Sequence, residues 1–152
     1  LQDHAGRQIK PASPPATAEK MPASKEARAA LNLDRGASVI VINRLRFHAK
    51  VPIITETITL PEDLFSSLAG RTDVPNTLYD LFQRSFGVLV TRADERIIPV
   101  LATALQANDL GIEPGTPLLK IERIAFALDE RPIEWRVSFC HVRDGHYFAR
   151  LK

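Results

Sequence analysis

ALNLDRGASVIVINRLRF, residues 30–47, has a second copy in the same chain: DLGIEPGTPLLKIERIAF, residues 109–126. At a constant offset of 79 positions, Leu31 matches Leu110, Leu33 matches Ile112, Gly36 matches Gly115, Ile42 matches Ile121, Arg44 matches Arg123 and Phe47 matches Phe126. Each copy reads as the end of a short helix, a Gly turn and then a β-branched apolar strand. After each copy comes a turn, then Pro-Ile (52–53 and 132–133), then a glutamate, Glu56 or Glu134. The period is too long for a solenoid, and there are only two copies. The pattern predicts one pseudo-symmetric domain: helix, Gly turn, strand, hairpin, strand, twice. Shared helix-stop and strand chemistry is the plainer explanation, and the arginine and phenylalanine matches weigh against it.

Outward from the first copy, PIITETITL returns as a second strand, and its alternation is informative. Ile53, Thr55, Thr57 and Thr59 share one parity, while Ile54, Glu56, Ile58 and Leu60 share the other. The threonines suit a wetter face, which leaves Glu56 on the drier one. Arg44 and Arg46 leave the same face as Ile40 and Ile42. A three-residue turn, Ala49 to Val51, sets Arg44 opposite Glu56, whereas a two-residue turn sets Glu56 opposite Asn43. Ala49-Lys50 lacks a residue suited to positive φ, so the longer loop is expected.

SKEARAAL reads as a helix with Ser24 as N-cap. LPEDLFSSLAG and PNTLYDLFQRSFG read as two more short helices stopped by Gly70 and Gly87. VLVTRADERIIPVL looks extended and ATALQANDL helical; TPLLKIERIAFA and RPIEWRVSFCHV form a hairpin around Asp129-Glu130-Arg131; RDGHYFARL supplies a last strand after an Asp-Gly turn. Residues 1–24 hold four of the eleven prolines and cannot be helical, so they form an edge strand or a linker. The fold class expected is α+β, a mostly antiparallel sheet with short flanking helices.

With 152 residues, 45% hydrophobic and 25% charged, the chain is one soluble globular domain. A net charge of +2 is too small to argue for nucleic acid or membrane as this domain's partner. No stretch reaches the roughly 20 apolar residues of a membrane span. The first residue is Leu1, which suggests a fragment of a longer protein. Cys140 is the sole cysteine; it excludes an internal disulfide and a multi-thiolate zinc site, and fits a cytoplasmic setting. The four histidines lack metal-ligand spacing, so no metal or cofactor is expected.

EARAALNLDRGASVIVINRLRF, VPIITETITLP, TLYDLF, ANDLGIEPGTPLLKIERIAF and RPIEWRVSF…DGHYF, in that order, resemble the UTRA domain. That is the effector-binding half of GntR-type bacterial transcriptional regulators of the HutC subfamily. The resemblance covers nearly the whole chain, and its specificity lies in the order and spacing of the five stretches. It implies a chorismate lyase-like fold, a homodimer, and a winged helix-turn-helix that precedes this domain and is absent from the given sequence. It also implies the contacts to an effector: Arg44 and Arg46, Glu56, Thr77 and Tyr79 at a helix start, and Glu134. Two departures stand out. Cys140 occupies a place where relatives often carry an aromatic, which puts a sugar-phosphate ligand in doubt, and Ala49-Lys50 replaces a common Asp-Gly turn.

Residue chemistry supports the same face. Two guanidiniums two residues apart can grip a phosphate or carboxylate, although a solvated strand edge is the commoner role of such a pair. Glu56 either orients those arginines or bonds the ligand itself. Glu134, between Ile133 and Trp135, is an improbable place for an unpaired charge. Arg92 is an additional candidate for anion binding. Arg123 reads as structural, paired near Glu122 or with Glu134, and Trp135 as core on the opposite side. Tyr79 and Phe82 read as core on spacing alone. No nucleophile and base are recognisable, so no catalytic residue is assigned. The leading expectation is a ligand-sensing domain for a small anionic metabolite, a sugar phosphate or a carboxylate, acting on DNA only through another domain. The competing ones are a chorismate lyase-like enzyme and a ligand-free dimerisation module.

Overall fold

The structure is a computed structural model that describes residues 1–151. In chain order the elements are β1 (Gln2–Asp3), β2 (Ala18–Pro22), α1 (Lys25–Leu31), β3 (Ser38–His48), β4 (Val51–Pro61), α2 (Glu62–Phe65) running into a 3₁₀ turn (Ser66–Leu68), α3 (Leu78–Phe86), β5 (Arg92–Leu101), α4 (Ala104–Leu110), β6 (Pro117–Phe126), β7 (Pro132–Cys140) and β8 (Gly145–His146). Six strands form one antiparallel sheet in the order β2-β3-β4-β7-β6-β5. The order is a palindrome under the sequence repeat: β3 exchanges with β6, β4 with β7 and β2 with β5. The Pro-rich start thus supplies an edge strand at Ala18–Pro22, and only two residues of the expected last strand pair, with β1.

The repeat extends to the helix caps. Ser24 accepts a bond from the Ala27 N–H at 3.0 Å, and its mate Thr103 closes a capping box with Gln106. α1 ends on Asn32 and α4 on Gly111, both left-handed. α1 lies against β7 and α4 against β4, as the exchange requires.

The first hairpin corrects the expected turn. His48 pairs with Val51, so the loop is the two residues Ala49 and Lys50, held at φ of 48° and 65°. That is the left-handed pair a tight hairpin needs, built here without Gly or Asn. Yet Arg44 does face Glu56, because the register shifts between Arg46 and Phe47: Phe47 pairs with Pro52 and Arg46 with Ile54. Ile53 is the extra residue of a β-bulge, and its carbonyl accepts the His141 N–H at 2.8 Å. The second hairpin repeats the device. Phe126 pairs with Pro132 and Ala125 with Glu134, leaving Ile133 as the extra residue. The register mate of Glu56 is therefore Arg136, not Glu134, and Arg123 faces Arg136.

One face of the sheet divides into two halves. Ile40, Ile42, Ile58 and Leu60 are buried beneath Phe65, Leu68, Leu78 and Phe82 of α2, the 3₁₀ turn and α3. Phe65 and Phe82 meet at a tilted 4.7 Å between ring centroids. The other half carries the charges. On the reverse face Ala107 and Leu110 of α4 cover Leu45 and Phe139. Trp135 points to that reverse face but is half-buried rather than core, and its indole N–H donates to Glu122 at 3.0 Å.

Replacing Ala49-Lys50 by Asn-Gly relieves two left-handed non-Gly residues, and the expected gain is about 1 kcal/mol. Urea denaturation with an unchanged slope measures it; a loss of stability would mean that the loop is not this turn.

Candidate functional site

The charged half is assembled from five strands and the start of α3. Parity along β3, β4, β7, β6 and β5 brings Arg44, Arg46, Glu56, Arg136, Ser138, Arg123 and Glu95 to one side. Arg44 and Glu56 are the deepest pair, with side chains 1% and 2% exposed. Arg44 Nε donates to Glu56 Oε1 at 2.8 Å, and Nη1 to the Asn76 carbonyl at 2.9 Å. Glu56 Oε2 accepts from the Ser138 hydroxyl at 2.9 Å. Burial alone would raise the Glu56 carboxyl; the guanidiniums of Arg136, Arg44 and Arg46 outweigh it and hold the group below the usual carboxylate range.

Arg46 is tied to the chain start and to the loop before α3. Its Nη2 donates to the Pro11 carbonyl and to Asn76 Oδ1, each at 2.9 Å. Asn76 Oδ1 also accepts from the Ser13 N–H and hydroxyl. On the other side Glu134, fully buried, accepts from the Tyr79 hydroxyl and from Arg136 Nη2, both at 2.8 Å. The Tyr79 hydroxyl in turn accepts from Arg123 Nη1 at 3.3 Å. Burial and the Glu134 charge raise the Tyr79 phenol, which stays protonated. Arg123 pairs with Glu95 at 2.9 Å, not with Glu134 or Glu122 as the sequence suggested.

Two hollows that share a wall follow from this layout. The outer one, about 290 Å³, lies between Arg44, Arg46 and residues 76–80. The inner one, about 160 Å³, reaches past Glu56 to Ile54, Ile121 and Cys140. Arg46, Arg123 and Arg136 line both. Four arginines face three glutamates across the cluster, and Asp80 at the outer hollow is paired with Arg84 at 3.1 Å, so one positive charge is uncompensated. The Nε atoms of Arg46 and Arg136 are buried without a hydrogen-bond partner among the described residues. Thr77 stands exposed at the N-cap of α3, and its side chain makes no capping bond, so the first N–H groups of that helix are left uncapped by it.

Of the residues singled out in the sequence, Arg44, Arg46, Glu56, Tyr79 and Glu134 converge, with Thr77 at the rim. Arg92 does not. It opposes Phe126, stacks on that ring at 3.9 Å and is consumed at the surface by Asp94 and Glu130. Sequence reasoning missed Arg136, Asn76, Ser138 and Glu95. Arg136 was legible, since it shares parity with Glu134 on one strand. Asn76 sits in a loop, where no periodicity applies. Cys140 closes the inner hollow as a neutral thiol, pushed up to about 12 by burial and by the Glu56 charge. Among the described residues no cluster suits a metal ion.

Glu56→Ala strands Arg44 in the interior, with an expected loss of about 3–5 kcal/mol in urea unfolding. The depressed carboxyl also sets a pH dependence. Its stabilisation is complete above the unfolded value near 4.5 and is lost as pH falls through the lower folded value. The stability measured from unfolding curves should fall with acid across that interval in the wild type and depend less on pH in Glu56→Gln.

The geometry has known counterparts. Residues 7–144 match the family model described as the UTRA domain. The HTH-type transcriptional repressor NagR of Bacillus subtilis is 27% identical over 151 residues, covering 94% of this chain and 62% of the relative. The HTH-type transcriptional repressor PhnF of Mycolicibacterium smegmatis is 32% identical over 108 residues, covering 71% of this chain. This chain spans 62% and 44% of the length of those two proteins. Among solved structures, the ligand-binding domain of a regulator assigned to the GntR family in Bordetella bronchiseptica superposes with a TM-score of 0.89 at 30% identity, covering all of this chain and 95% of that one. The effector domain of PhnF from Mycobacterium smegmatis gives 0.84 at 25% identity, over 95% and 88%. No helix among the described residues is long and apolar enough to cross a membrane. The expected α+β, chorismate lyase-like architecture is thus the observed one, and the chain belongs to the UTRA family, the effector-binding domains of GntR-type transcriptional regulators.

Proposed function

We propose that this domain senses a small anionic metabolite held between the Arg44/Arg46 strand, the start of α3 and Arg136. The observation that carries the reading is the uncompensated arginine charge lining a hollow, with two guanidinium Nε donors buried and unused. Ionic groups short of partners in the interior are costly, and an oxyanion in the hollow would supply the missing charge. The uncapped first turn of α3 faces the same hollow and adds N–H groups with the helix dipole behind them.

Arg44, Glu56 and Ser138 hold the frame, since their polar atoms are already bonded to one another. Arg46, Arg136 and Tyr79 are the groups that face the ligand. In the whole protein the domain would join a winged helix-turn-helix, in keeping with relatives that are named HTH-type. It would act as a cytoplasmic homodimer of the HutC subfamily, ligand binding shifting the balance between arrangements of differing DNA affinity. Nothing in the site favours the enzyme reading: Cys140 is a neutral thiol, and Tyr79 is held by Glu134. The relatives are named repressors.

Inorganic phosphate at 100 times its dissociation constant should raise the melting temperature by about 5–10 °C, the equivalent of about 2.7 kcal/mol for a domain of this size. Arg46→Gln should remove most of that rise while the variant stays folded. An equal rise in Arg46→Gln, or none in the wild type, sinks the anion clamp.

A further inference from the structure

The hydrogen-bond inventory of the site is one-sided. All six carboxylate oxygens in the cluster already accept a bond from a neighbouring side chain. Glu56 takes Arg44 and Ser138, Glu134 takes Tyr79 and Arg136, and Glu95 takes Arg123 and Tyr147. The unused capacity is made of donors on Arg46 and Arg136, which line both hollows: each donates a hydrogen bond only through Nη2, leaving Nη1 free among the described residues, and each Nε is buried without a partner. A ligand body rich in hydroxyls or amines brings donors of its own, and these would have to share carboxylate oxygens that already accept a bond. A ligand that brings acceptors finds partners.

The inner hollow adds a shape. Beside its charged groups, its lining includes Ile54, Ile121 and Cys140, whose burial-raised thiol carries no charge. Its volume of about 160 Å³ is close to that of a cavity that accepts benzene, about 150 Å³. A short hydrocarbon spacer or a small ring fits there, and little more.

From this pairing of unused guanidinium donors with apolar lining residues we infer the ligand class. It is a compact molecule with two acceptor groups, an oxyanion in the outer hollow and a carboxylate or carbonyl in the inner one, joined by an apolar body rather than a polyol. The inference rests on the anion-binding reading above and narrows it. Cys140 then acts as a specificity residue, since the small thiol leaves room for the inner group.

Calorimetric titration of the folded chain with four probes tests it: inorganic phosphate, propylphosphonate, 3-phosphonopropionate and glucose 6-phosphate. The expected order has 3-phosphonopropionate about tenfold or more tighter than both propylphosphonate and glucose 6-phosphate, the gain of a second charge-assisted contact. Cys140→Phe should erase that gain. Should the phenylalanine variant fail to fold, Cys140→Leu makes the smaller intrusion, and the order of affinities in the wild type decides by itself. If phosphate binds but glucose 6-phosphate matches or exceeds 3-phosphonopropionate, or the gain survives in Cys140→Phe and Cys140→Leu, the two-acceptor class is wrong while the clamp stands. If phosphate does not bind at all, the clamp falls and this inference with it.

Discussion

The buried ion pair between Arg44 and Glu56 is the constraint on which the rest of the site depends. Both side chains are almost wholly withdrawn from water, so each requires the other. A hydrophobic pair of similar volume would hold the two strands together at least as well. What the ion pair adds is fixed orientation. Glu56 anchors Arg44, draws Ser138 into the same network and lies 3.8 Å from Arg46. The Asn76 carbonyl fastens the loop before α3 to Arg44, and its side chain fastens that loop to Arg46. Strand, loop and helix start are therefore positioned by one buried charge.

That pair exists because of a single inserted residue. With a two-residue turn and no bulge, Glu56 would face Asn43 and Arg44 would face Thr55. Ile53 bulges out and restores the match, and Ile133 does the same in the other hairpin. The two hairpins share this backbone device but not its chemistry. The mate of Glu56 is Arg136, so the second hairpin sets Arg123 opposite Arg136, each held by its own carboxylate, Glu95 and Glu134, while Arg46 of the first shares Glu56 with Arg44. Duplicated geometry with divergent charge produces a cleft that is positive at its centre.

Legibility of this site followed the strands. Arg44, Arg46, Glu56 and Glu134 were found because period-two alternation assigns a face to each residue of a strand. Arg136 had the same signal. Arg92 carried no such signal: its parity puts it on the reverse face, beside the acids that engage it. Asn76 and Pro11 meet Arg46 from loops, and contacts of that kind follow no period. Arg123 was assigned a partner nearby in sequence, whereas its partner, Glu95, lies directly across the strand pair.

By itself the amino-acid sequence determined the element order, the α+β class, the internal repeat with its helix caps, and the drier face on which the charges lie. Local propensity, capping chemistry and side-chain parity act over a few residues and can be read directly. Tertiary structure alone decided the register that joins Arg44 to Glu56, the exchange of halves about β4 and β7, and the division of carboxylates that are already occupied from guanidinium donors that are not. Those outcomes depend on where a bulge falls and on which distant strands become neighbours. Both are settled by packing across the sheet rather than by any short run of residues.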